Sequence, residues 1–303
     1  MRQRTIAVGF GAMLLLAGCN PNMRTPSQGR LPSETPTAPQ LVKYLNDNAR
    51  KLQTIEAREV DIDAQQGNQP VGLQGNMICQ RPRNFRLNAK VVGQAAVDVG
   101  SNDKEFWWWI SKSDPPYLFH CLHKDYAEGR TKMTFPVQPD WIMEALGMAE
   151  HDPNGTYEPV KVTQSTFELV QKTLSPQRQP IRKVTVFNRT PASASSPQVM
   201  AHRIEDANGK EICSALITQV QYDEASRAVI PRQVKLVWPM QQVTLKLKLE
   251  GVKVNGPVEG ERAVRLFTRP NMPNTPSYDL AKGLDQPVGQ VQRVGVPPRV
   301  NEH

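Results

Sequence analysis

The chain has 303 residues, a formal charge of +8 and four cysteines. The positive charge is spread thin, with no dense basic run and no nucleic-acid-binding motif; nucleic acid is excluded as a partner, while anionic lipid or acidic partners stay open. Cys79, Cys121 and Cys213 remain beside Cys19, which allows at most one bridge within the chain and excludes a disulfide-built scaffold.

Arg2 and Arg4 precede a short apolar stretch from Ile6 to Leu16, and Leu15–Leu16–Ala17–Gly18 leads into Cys19. This is the pattern of a secretory signal, and the apolar stretch falls short of the roughly 20 residues a membrane span needs. The Leu-Ala-Gly-Cys ending resembles a bacterial lipobox, which makes residues 1–18 a lipoprotein signal peptide and Cys19 the lipidated first residue. Asn20, where an Asp would favour inner-membrane retention, points to the outer membrane, facing the periplasm. Loss of Arg2 and Arg4 takes the charge from +8 to +6. Residues 19–39 hold Pro21, Pro26, Pro32, Pro36 and Pro39 among polar residues and read as a tether. Residues 271–303 repeat that composition and read as a flexible tail. Residues 40–270 form one large domain.

Within it, Leu41, Leu45, Ala49 and Leu52 make one apolar stripe and predict an amphipathic helix within residues 40–57. Alternation then predicts strands: Val60, Ile62 and Ala64; Val71, Leu73, Met77 and Cys79; Phe85, Leu87, Ala89 and Val91. Gly67-Asn68 and residues 81–84 read as turns. In Glu105–Ile110 both faces are apolar, Phe106, Trp108 and Ile110 against Trp107 and Trp109, so this strand must be covered on both sides. Trp141, Ile142, Ala145 and Leu146 predict a helix within 138–148 that Gly147 stops. Strands follow within 158–165, 166–173, 181–189 and 200–223, the last carrying the hairpin signal Asn208-Gly209. Residues 232–238 pair with 243–250, where Val243, Leu245, Leu247 and Leu249 face one way, and residues 262–270 close the series as a strand ending on Phe267. The class is mainly β with covering α-helices: about ten antiparallel strands that curl into an unclosed half-barrel under a helical lid.

The order of these pieces, with Gln80–Leu87 (QRPRNFRL), Asn102–Ser111 (NDKEFWWWIS), residues 230–238 (IPRQVKLVW) and 243–256 (VTLKLKLEGVKVNG), resembles the periplasmic lipoprotein carrier and receptor family, LolA and LolB. Arg81-Pro82 falls on one of its motifs, and Asp103, Phe106, Trp107 and Trp109 on another, with Lys104 where the family commonly has Gly. The resemblance covers roughly residues 41–112 and 229–270. It implies a hydrophobic cavity that holds acyl chains under a helical lid, with Arg81 as the lid latch. The cavity would be lined by Leu73, Phe85, Leu87, Ala89, Val91, Phe106, Trp108, Ile110, Val243, Leu245, Leu247 and Leu249. The lid would carry Leu41, Leu45, Leu52, Trp141 and Ile142. On the residues alone, Arg81 could equally end a strand and face solvent.

No catalytic arrangement stands out, and no phosphate loop, Gly-x-Ser-x-Gly or zinc-helix motif is present. His120, Cys121 and His123 are the one cluster of metal-ligand types and lack the further ligands a closed zinc site needs. The sequence therefore predicts a non-enzyme without cofactor or metal, tethered to the membrane through Cys19 and binding lipid or an acylated lipoprotein in envelope trafficking. The alternative is a scaffold with a filled core that binds an envelope protein.

Overall fold

The computed structural model describes residues 31, 34–131, 138–191, 193 and 195–284. The expected signal, Cys19, the first part of the tether and the tail from residue 285 lie outside the described residues.

Helix α1 (Ala38–Ala49) starts where Gln40 Oε1 accepts the Thr37 backbone N–H at 2.8 Å, with Pro39 in the first turn. The N-terminal half of the sheet follows: β1 (Thr54–Gln66), β2 (Gln69–Gln80), β3 (Asn84–Val91), β4 (Gln94–Ser101), β5 (Glu105–Ile110) and β6 (Leu118–Leu122). Two short helices, α2 (His123–Ala127) and α3 (Pro139–Ala145), lead to β7 (Thr156–Tyr157) and β8 (Lys161–Val162). The second half comprises β9 (Thr166–Leu174), β10 (Pro180–Asn188), β11 (Val199–Asp206), β12 (Glu211–Asp223), β13 (Ala228–Trp238) and β14 (Val243–Val254). Helix α4 (Gly260–Phe267), β15 (Ser277–Asp279) and β16 (Gly283–Leu284) end the described chain.

All strands belong to one sheet, in the order β16-β15-β6-β5-β4-β3-β2-β1-β14-β13-β12-β11-β10-β9-β7, with β8 also on β9. Its two ends do not pair, so the sheet is an open half-barrel. The seam between the halves is the antiparallel β1–β14 pair, in register from Ile55 opposite Val254 to Gln66 opposite Val243. The hairpin tips at 67–68 and 92–93 and the turn at 239–242 lie together along one rim; the Gly67 N–H donates to the Gln242 carbonyl at 3.0 Å. Register places Ile62, Leu73, Leu247 and Val234 side by side on the inner face, and all four are buried in one apolar cluster with α3.

Four expectations change. The first helix stops at Ala49, and Thr54–Ala57, read as its continuation, open β1 because their register against β2 and β14 buries Ile55 and Ala57. Residues 262–267 are helix α4, not a closing strand: Ala263, Leu266 and Phe267, at helical spacing, pack on Ile78 and Val258 of the outer face. The predicted strand at 158–165 shrinks to the two residues of β8, with β7 beside it on β9. Residues 277–284, part of the expected loose tail, join the sheet, β15 running parallel to β6.

Candidate functional site

The inner face is built by strand alternation. Leu87 and Ala89 on β3 face Val99 and Val97 on β4, Phe85 faces Ser101, and Val99 in turn faces Trp108 on β5. Leu73, Phe85, Leu87, Ala89, Phe106, Trp108, Leu247 and Leu249 are buried in the central cluster. Val91, Val243 and Leu245 pack against it half-buried, and Ile110 is half-buried at the same level. Burial thus changes along β1, β3 and β14, while on β13 Leu236 and Trp238 stay buried at the rim level, under Trp141. Leu247 is 2% exposed, whereas toward the rim Ala64, Val91, Val97, Phe119, Val243 and Leu245 keep part of their apolar surface in contact with water. Those residues outline an apolar mouth between the hairpin tips.

The three tryptophans divide between the faces. Trp108 goes inward, stacked with Phe106 (centroids 6.2 Å apart, planes at 11°) and with Phe119 (5.3 Å, 18°). The ring series continues through Tyr278 to Tyr117, so β15, part of the expected tail, extends the aromatic wall of the mouth. Trp107 goes outward and is fully buried there. Its Nε1 donates to Asp98 at 3.2 Å, the Arg86 guanidinium lies 5.3 Å from its ring, and Gly100 beneath it leaves the room. A Cβ on Gly100 would come within 2.1 Å of that ring. Arg86 also binds Asp98 at 2.5 Å and the Thr268 carbonyl at 2.9 Å, which straps the chain after α4 over this face. Burial raises the Asp98 pKa against the pull of Arg86 and Trp107. Trp109 is half-buried on the same side.

The residues expected in one lid fall into three places. Trp141 and Ile142 of α3 cover the central cluster, Trp141 edge-on to Trp238 at 5.3 Å. Leu52 joins that cluster from the connection into β1. Leu41 and Leu45 do not: with Val42 they pack on Phe167, Leu169 and Phe187 of β9 and β10, a separate apolar cluster. Helix α1 is thus a wedge over the far strands. Its end is clasped by Asn48, which exchanges hydrogen bonds with the Val229 backbone (2.8 and 2.9 Å), and by Asn46, which does the same with His151 (2.8 Å each).

Arg81 stands where these parts meet. Its Nη1 donates to the Ala49 carbonyl at the end of α1 (3.2 Å) and its Nη2 to Glu150 beyond α3 (2.5 Å), a carboxylate shared with Arg50 (3.0 Å). Those two arginines hold the Glu150 pKa below its usual range. The neighbouring Arg83 pairs with Asp140 of α3 at 3.1 Å. A recess of about 330 Å³ opens here, between the turn at 81–84 and α3, with Met143 and Met148 on one wall.

Sequence reasoning missed a polar cluster that pins the C-terminal end of α3. Glu144 reaches Lys183 on β10 at 2.6 Å; His151 lies against His202 on β11 with ring centroids 6.5 Å apart, and His202 Nδ1 is 3.3 Å from Thr185 Oγ1. Burial works against the Glu144 charge, but Lys183 and His151 outweigh it and its pKa is lowered. Burial pushes His151 down, and His202 to about 4. The only sequence signal was a Lys and a His on inward positions of strands read as apolar.

No nucleophile–base pair emerges from Ser101 and His123, although Ser101 Oγ lies 3.3 Å from His123 Nε2. That nitrogen is 2.9 Å from the Asn102 carbonyl, an acceptor only, so it carries the proton and cannot take one from Ser101. Cys79, Cys121 and Cys213 are buried free thiols, with burial raising each pKa, that of Cys213 to about 12. Among the described residues no group of three or more His, Cys, Asp or Glu is placed to hold a metal.

No family model matches the sequence, and no curated protein matches it. Among solved structures the chain is similar to a DUF1329 family protein from Desulfovibrio piger, at 8% identity and a TM-score of 0.49 over 73% of this chain and 93% of that one. It is similar also to an outer membrane lipoprotein-sorting protein domain from Vibrio parahaemolyticus (7%, 0.47, over 72% and 93%). A third is a LolA superfamily protein from Nitrosomonas europaea (10%, 0.46, over 78% and 99%).

Proposed function

We propose that this protein binds lipid or lipoprotein acyl chains on the inner face of its half-barrel, with α3 as the movable cover and Arg81 as its latch. It would act in envelope lipid or lipoprotein trafficking, held through a lipidated Cys19 to the outer membrane. The observation that carries the reading is the burial gradient along the inner face: dry under α3, half-open at the mouth lined by Val91, Ile110, Phe119, Val243 and Leu245. An acyl chain entering there extends an apolar layer that already exists, and the hydrophobic effect supplies the affinity. At about 0.8 kcal/mol per CH₂, sixteen carbons contribute roughly 12 kcal/mol before the costs of association. The Arg83–Asp140 and Arg81–Glu150 pairs beside α3 are part-exposed contacts of the kind that break at low cost, while Glu144, buried against Lys183, holds more firmly.

The test is uptake of a fluorescent fatty acid by protein purified without detergent, alongside mass spectrometry of co-purifying lipid. The expected result is saturable uptake that Leu245→Glu, at the half-buried mouth, abolishes while thermal unfolding stays cooperative. Protein that carries no lipid and takes up no probe sinks the carrier reading and leaves the scaffold with a filled core.

A further inference from the structure

The opposite face of the same strands carries a feature the acyl reading does not use. Asp61 and Asp63 on β1, Gly72 on β2, Lys90 on β3, Lys235 on β13 and Lys246 and Lys248 on β14 alternate with the buried inner residues and so point outward. They line a groove of about 960 Å³ that crosses the strands, with Val92 of the β3–β4 tip at its lip. A sheet's outer face usually disperses its charges or pairs them. Here Lys248 is paired, with Glu250 at 2.9 Å and Asp61 at 4.0 Å. Lys235 and Lys246 are different: they face each other directly across the β13–β14 ladder, and neither has an ion pair among the described residues.

Like charges in directly opposed positions repel. Asp63, opposite Lys246 on its other side, does not form an ion pair with it. Two ammonium groups on flexible stems, rooted about 5 Å apart, can both reach one dianion held between them, and that anion removes their repulsion. The floor is open to it: beside Gly72 nothing lies within 4 Å of where a side chain would begin. Asp63 beside Lys246 and Asp61 one pair further along disfavour a ligand that is anionic throughout, and the exposed Gln74 between Asp61 and Lys90 offers neutral hydrogen-bonding groups.

We infer that this groove is a second binding site, for a soluble polar ligand carrying a phosphoryl group that Lys235 and Lys246 hold between them. Because the lysines line a recess behind the tips, a flat bilayer does not bring its headgroups to them, and the source is a ligand in solution. The site is independent of acyl binding, since its side chains leave the opposite face of the sheet.

Isothermal titration of the purified full chain with inorganic pyrophosphate tests this, with Lys235→Gln/Lys246→Gln as the site variant and Lys43→Gln on α1 as the charge control. Saturable one-site binding is expected, weakened at least tenfold in the double variant and unchanged in the control, with fatty-acid uptake unaffected by either. Absence of saturable binding overturns the proposal, as does equal weakening by the control, which marks non-specific charge attraction. Binding to phosphatidylglycerol vesicles without binding to pyrophosphate overturns the soluble source. Folding of the double variant is checked by its thermal midpoint, and a third protein, Lys235→Arg/Lys246→Arg, should retain binding if charge at these positions is what matters.

Discussion

Helices α1 and α3 both lie on the inner face of one sheet, yet they are attached by different physics. Helix α1 buries Leu41, Val42 and Leu45 against Phe167, Leu169 and Phe187, and two asparagines, each satisfied by a backbone N–H and a backbone carbonyl, fix its end. Helix α3 is shorter; it buries Trp141, Ile142 and Leu146 in the central cluster and adds charges at its margins, Asp140 to Arg83, Glu144 to Lys183, and Glu150 just beyond it to Arg81. Fully satisfied buried amides leave no alternative position of similar energy, whereas the part-exposed pairs of Asp140 and Glu150 exchange readily with water. In the proposed function α1 is then the scaffold and α3 the moving cover.

The largest effect should come from attacking the wedge. Leu41 is fully buried, and Leu41→Ala should cost about 2–5 kcal/mol of unfolding free energy, measured by urea denaturation. If α1 is scaffold, fatty-acid affinity of the fraction that stays folded is unchanged; if affinity falls in step with stability, α1 belongs to the cover after all.

Acid should loosen α3 next. His202, whose pKa burial holds near 4, has an unfolded value of about 6.5, so the unfolded chain takes up the proton first. Its contribution is intact above about pH 6.5 and is lost as the pH falls toward 4, by up to about 3 kcal/mol at 1.36 kcal/mol per unit. His202→Gln should flatten this part of the stability–pH curve, and tryptophan fluorescence, reporting Trp141 on Trp238, should shift in the same range. A curve that keeps its slope in the variant would move the acid sensitivity elsewhere.

A smaller change should sharpen the picture of the cover itself. The Trp141 Nε1 is buried with no hydrogen-bond partner among the described residues. Trp141→Phe removes that unsatisfied donor along with some packing volume. The two effects oppose each other, so stability should move by less than about 1 kcal/mol. Uptake kinetics of the fluorescent fatty acid decide whether this side chain sits in the path of the ligand: an altered rate at unchanged stability says that it does.

What the sequence disclosed follows from where its signals are local. Alternation in Val243–Leu249 and Phe85–Val91 placed those side chains on the inner face because strand geometry leaves them no other choice once one face is buried. The two-sided burial of β5 was legible for the same reason. What covers its outer face was not, since α4 comes about 150 residues later and its short apolar run also fits a strand. Gly100, on which Trp107 rests, gave no signal at all: a glycine in a strand announces a close approach without naming its partner. The divided lid was hidden in the same way. Leu41 and Leu52 fit one helical stripe, and the contacts that hold the chain where the helix ends between them, Asn48 on Val229 and Asn255 on Lys51 and Gln53, are with residues about 180 to 200 positions away. For Arg81 the residues left two readings open, a solvent-facing strand end or a latch, and its contacts span both helices.

The smallest effect on stability and the most informative effect on kinetics should come together at Arg81. Its carboxylate partner Glu150 has 36% of its side chain exposed, so water already screens the pair, and Arg81→Ala should cost less than about 1 kcal/mol. Yet this one guanidinium joins the last turn of the fixed helix to the chain emerging from the mobile one. Without it the Ala49 carbonyl can turn to water, Glu150 keeps only Arg50, and the chain leaving α3 loses its tie to α1 just beyond the turn that Glu144 anchors to Lys183. Fatty-acid uptake by Arg81→Ala should therefore be faster than wild type at equal thermal midpoint, and Arg81→Lys, which keeps the charge but not the forked geometry, should fall between them. Equal rates in all three proteins would mean that Arg81 merely ends a strand and does not latch α3.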